Sequence, residues 1–113
     1  MRFIAPFMIR RVQGHSMLPV LPPGTLVWGY RWYLRLRPQK VVIAEHSGRE
    51  IVKRIESVRP EGLFLLGDHT EASTDSRHYG AIPKDNVKAV VIWPRVRRVL
   101  ADSGGITARP IDT

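Results

Sequence analysis

Short β-branched or apolar runs, each cut off by glycine or proline, constrain this chain most. They fall at 25–30, 40–44, 50–58, 63–66 and 86–93. Leu21-Pro22-Pro23-Gly24 and Arg59-Pro60-Glu61-Gly62 break the chain between them, and Pro94 closes the last. Runs of this length and type, bounded by turn formers, read as strands. Glu45-His46-Ser47-Gly48-Arg49 is a turn, so 40–58 is predicted to be a hairpin. A further edge strand is predicted near Phe7 to Val12. Nowhere does a long amphipathic helical period appear. The expected fold is all-β, or β-dominated, a compact domain of antiparallel strands.

With 113 residues, one domain is expected, over 1–100. Residues 101–113 offer little to bury and are expected to be a disordered tail. The absence of cysteine excludes disulfides and thiol catalysis. The formal charge of +8 admits three readings: a solvated basic face, an anionic membrane surface, or nucleic acid. The basic residues are scattered and no nucleic-acid motif accompanies them, so no nucleic-acid partner is expected. Trp28 to Arg37 interleaves aromatics, leucines and arginines. It reads either as a strand or loop with one packed face, or as an interfacial patch. His15, His46, His69 and His78 lack the helical spacing of a zinc site, and neither metal nor cofactor is expected. No apolar run reaches the roughly 18 residues of a membrane-spanning helix.

Chemistry concentrates in three blocks. The first is Gly14-His15-Ser16-Met17-Leu18-Pro19, where proline biases the residue before it towards an extended backbone. Ser16 is therefore expected on a stiff, extended segment, with His15 pointing to the opposite face. The second is Ile51-Val52-Lys53-Arg54-Ile55. Strand alternation puts Ile51, Lys53 and Ile55 on one face. If that face is inward, burial lowers the pKa of Lys53 and suits it to act as a general base. The third is Gly67-Asp68-His69-Thr70-Glu71-Ala72-Ser73-Thr74-Asp75-Ser76-Arg77-His78-Tyr79-Gly80.

Taken in this order, the three blocks resemble the type I signal peptidase family of Ser–Lys dyad peptidases, over about Gly14 to Trp93. The resemblance implies Ser16 as nucleophile and Lys53 as base. It implies that Ser73 orients the lysine, that Asp75 and Arg77 hold the loop, and that Gly67, Asp68 and Ser76 support it. An oxyanion hole would use the Ser16 N–H. At Gly14 some members carry a serine, so this hole would rest on backbone donors. His69 stands where asparagine is common, and Thr25 where an aspartate is usual. An extended substrate is implied, bound as an added strand. Small residues at the first and third positions before the cut would be selected by shallow pockets beside Met17, Leu18 and Pro19.

The implied partner is a precursor protein or peptide, with peripheral contact to anionic membrane as a second expectation. Lacking a spanning segment, the chain is expected to be either a domain cut from an anchored protein or a soluble, even cytoplasmic, relative. In brevity it resembles the proteases proposed to mature nickel-containing superoxide dismutase. The rivals are a self-cleaving repressor-type Ser–Lys domain and a catalytically silent β-domain that docks on membrane.

Overall fold

The runs read from the sequence become strands in the computed structural model, which describes residues 5–95. In chain order they are β1 (Phe7–Arg11), β2 (Leu26–Tyr30), β3 (Val41–His46), β4 (Arg49–Arg59), β5 (Gly62–Leu66) and β6 (Val87–Trp93). All pair antiparallel in one sheet, in the order β1-β2-β6-β3-β4-β5. The expected disordered tail at 101–113 lies outside the described residues.

The β3–β4 hairpin closes on Ser47 and Gly48, both with positive φ (52° and 77°). Positive φ at both loop residues matches the right-handed twist of the strands it joins. Period-two alternation then divides the side chains. Val41, Ile43 and Val52 join one apolar cluster with Met8, Val27 and Ala89. Val42, Ala44, Ile51 and Ile55 join another with Leu63, Leu65 and Val90. Both faces of the sheet are therefore buried over its centre. At Gly29 the packing is close enough that an added Cβ would lie 2.8 Å from the Ala89 Cβ.

The sheet curls. β1 and β4 stand four strand spacings apart in the order, about 19 Å if the sheet were flat. Even so, Arg10 on β1 forms a two-pronged ion pair with Glu50 on β4, at 2.5 and 3.1 Å. The rims of the sheet are thus brought face to face. β4 also changes partner along its length. It pairs with β3 from Arg49 to Arg54, but with β5 only from Arg54 onward. Among the described residues its first half is an open edge.

One expectation is corrected. Ser16 does not sit on extended backbone: residues 16–20 turn, with Leu18 N–H donating to the His15 carbonyl and Leu21 N–H to that of Met17. With this turn, Met17 and Leu21 both bury completely in the first cluster. The stretch after Tyr30 takes the form of a loop with one packed face, one of the readings given for it. Tyr33 and Leu36 pack against the second cluster, while Trp32 and Leu34 stay exposed. No helix among the described residues is long and apolar enough to cross a membrane.

Candidate active site

A cleft of about 700 Å³ opens between the turn that follows β1 and the open half of β4. Ser16 and Lys53 both line it, with Gly14, Ala72, Thr74 and Tyr79.

Lys53 reaches the cleft from the face shared with Ile51 and Ile55, and only 5% of its surface is exposed. Its Nζ donates to the Ser73 Oγ at 2.9 Å. Ser73 in turn donates its one proton to the Asp75 Oδ2 at 2.7 Å. Ser73 can therefore only accept from Lys53, and the amine is held without a direct carboxylate. Burial pushes the Lys53 pKa below its ordinary 10.5. The Asp75 charge works against that shift, and the Arg77 charge works with it.

Asp75 is completely buried. Burial alone would raise its pKa. The Arg77 guanidinium, the Gly67 N–H and the Ser73 hydroxyl outweigh burial and hold the carboxyl well below the usual carboxylate range. Arg77 grips it with Nε and Nη2, each at 2.9 Å. Asp75 also caps a single helical turn, α1 (Ser76–Tyr79), and His78 Nδ1 returns the favour by accepting from the Asp75 N–H. Ser76 Oγ accepts from Leu65 N–H at 2.8 Å, tying α1 to the end of β5.

Gly67 joins the two halves of the site. A Cβ there would lie 2.2 Å from the Ser73 Oγ and 2.7 Å from the Ser16 carbonyl. The next link is His69 N–H, which donates to that same carbonyl at 2.7 Å. His69 Nδ1 lies 3.2 Å from the His15 carbonyl. The turn that carries Ser16 is thus pinned to the loop that carries Ser73. Asp68 points elsewhere and takes both prongs of Arg54, at 2.7 and 2.8 Å.

The other residues singled out from the sequence sit as follows. Gly14 is exposed, with φ +81° and open space around its Cα. Met17 is core. Leu18 and Pro19 lie outside the cleft lining. Among the described residues, no group of three or more His, Asp or Glu side chains gathers where it could hold a metal ion.

Sequence reasoning missed three features. The Arg54–Asp68 pair fastens β4 to the start of the loop; its only signal was the adjacency of Arg54 to Lys53. The capping role of His78 was readable as a polar residue three positions after Asp75. The ring of Tyr79 lines the cleft and stacks on His46 at 4.0 Å. Its hydroxyl is buried with no partner among the described residues.

Comparison with known proteins adds to this geometry. The family described as signal peptidase, peptidase S26, matches residues 33–95. That interval holds Lys53 and the whole Gly67–Gly80 block, and starts after Ser16. Signal peptidase I of Haemophilus influenzae is 40% identical over 52 residues, covering 43% of this chain and 15% of its own length. The chain therefore corresponds to a small part of that relative. The family match covers more than half of this chain and takes in the lysine, the serine beside it and the loop that orders both: the chain belongs to the signal peptidase family, peptidase S26.

Proposed function

We propose that this protein is a serine endopeptidase with a Ser16–Lys53 dyad that removes an N-terminal segment from a precursor. The observation that carries the reading is Lys53. It is a buried amine, bonded to a serine hydroxyl rather than a carboxylate, in the cleft that Ser16 also lines. Neutral Lys53 takes the proton of Ser16 Oγ as the oxygen attacks the scissile carbonyl. The protonated amine then passes that proton to the leaving nitrogen, and an acyl-Ser16 ester remains. Lys53, neutral again, takes a proton from a water that attacks the ester, and gives it to Ser16 Oγ as the acyl–oxygen bond breaks. Because Ser73 is already committed to Asp75, it fixes the amine without competing for the lone pair. The Ser16 N–H takes no acceptor among the described residues and is available to the oxyanion.

The substrate would enter as a strand. The open half of β4, Arg49 to Lys53, presents unpaired backbone groups to the cleft, and the turn after β1 faces it. In this reading the residues before the cut lie along that edge, with small ones nearest Ser16.

The test incubates wild type, Ser16→Ala and Lys53→Ala with an Ala-x-Ala peptide. Cleavage by wild type alone supports the dyad. Cleavage that survives either substitution refutes it.

Membrane contact is favoured by a separate observation. Phe7, Ile9, Trp28 and Trp93 lie exposed across β1, β2 and β6, and Trp32 and Leu34 are exposed in the following loop among arginines. Aromatic rings and guanidinium groups together suit an anionic interface. Sedimentation of Ser16→Ala with anionic but not neutral vesicles would support such contact.

A further inference from the structure

We propose that the far end of the cleft, at Arg10 and Arg49, is a subsite for an acidic side chain of the substrate, four or five residues before the bond that is cut. This rests on the reading of the cleft as a peptide site.

The position comes from the strand. Glu50 lies three residues before Lys53 on β4, about 10 Å at ~3.3 Å per residue. A peptide lying along β4 with its scissile bond level with Lys53 brings its fourth and fifth preceding residues to this end. There the Arg10–Glu50 ion pair bridges the two rims of the cleft. An incoming strand has to pass beneath this bridge or open it.

The sign comes from counting charges. The cleft is lined by Arg10, Arg11, Arg49 and Lys53 against one carboxylate, Glu50. Arg49 meets no carboxylate among the described residues. Glu50 has a second cation, the Lys88 Nζ at 3.5 Å. If a substrate carboxylate takes Arg10, Glu50 stays paired through Lys88 and no charge is orphaned. A substrate lysine would have to take Glu50 from Arg10, leaving three arginines without a counter-charge. Exchange by an acid leaves every partner of the original pair with a counter-charge, whereas exchange by a base leaves Arg10 without one. The ion pair is half exposed, so water screens it and the preference is moderate rather than absolute.

The experiment measures binding to the full chain carrying Ser16→Ala, by anisotropy of labelled Ala-x-Ala peptides. Each peptide carries Glu, Gln or Lys at the fourth or fifth position before the cut. At one of these positions Glu is expected to bind about five-fold tighter than Gln, and Lys more weakly, in line with a partly exposed charge pair. The advantage should fall below about two-fold in 0.5 M salt, where charges are screened within a few ångströms. Arg10→Gln should remove it, and Arg49→Gln, at an exposed position, should reduce it. Equal binding of the three peptides, or tightest binding of Lys, overturns the subsite while leaving the peptide cleft standing. Failure of all three peptides to bind, together with no cleavage by wild type, overturns the cleft reading and the subsite with it.

Discussion

Replacing Gly67 with alanine tests whether the site depends on the close approach of three segments. The new Cβ would fall 2.2 Å from Ser73 Oγ, 2.6 Å from Ser73 Cβ and 2.7 Å from the Ser16 carbonyl oxygen. Non-bonded heavy atoms settle at ~3.5 Å or beyond, so Ser73 Oγ has to retreat by more than an ångström. Its bonds to Lys53 and Asp75, at 2.9 and 2.7 Å, cannot both survive that retreat. Overpacking of this kind costs about 1–3 kcal/mol of stability, and an ångström of misplacement at a reacting group costs about 100-fold in rate. The assay is kcat on an Ala-x-Ala peptide beside a urea melt. Gly29→Ala serves as the control. It overpacks the sheet, with its Cβ 2.8 Å from that of Ala89, and has no contact with Ser73 or Lys53. Both variants should lose stability, and only Gly67→Ala should lose about two orders of magnitude in kcat. A folded Gly67→Ala with wild-type kcat would refute the argument that Ser73 and Ser16 must be held where they are.

Two further outcomes follow from the buried charges. The proposed dyad needs neutral Lys53, so kcat/KM should rise with pH through a limb lying below the ordinary lysine value of 10.5. The Arg77 charge helps depress that pKa, so Arg77→Gln should move the limb to higher pH; a limb that stays put or moves down would contradict the assignment. Asp75 is held below its ordinary 3.8 in the folded chain, so its contribution to stability is present above that pH and is lost as pH falls beneath it. Asp75→Asn should cost about 3 kcal/mol at pH 7 and flatten the acid limb of a stability-versus-pH curve, which urea melts from pH 2 to 7 would check.

The strands were legible because β-branched runs and Gly/Pro breaks are local signals, and the Ser47-Gly48 turn is set by two adjacent residues. The burial of Lys53 was legible for the same reason: Ile51 and Ile55 flank it at period two. The sheet order was not. Nothing in Val87–Trp93 says that it inserts between β2 and β3, because that pairing is decided by packing across the whole chain. The turn at Ser16 was misread because the proline signal is local, while the burial of both Met17 and Leu21 is a tertiary demand that overrides it. In the Gly67–Gly80 block the residue types were legible, but the relay was not. The Asp75–Arg77 pair is two residues apart and easily foreseen. That the same carboxylate also receives the Gly67 N–H and the Ser73 hydroxyl depends on how the loop folds back on itself.

A strand that is paired on one side only is also a hazard. The open half of β4 offers backbone donors and acceptors to any extended chain, and a second molecule carries an edge of the same kind. Charge at its mouth is a barrier to that encounter. Two copies approaching rim to rim would bring Arg10, Arg11 and Arg49 of one against the same arginines of the other, and the net charge of +8 adds to the repulsion. In the proposed reading, an extended substrate strand free of such a cluster would not meet this barrier, and the groove could stay vacant without becoming a seed for self-association.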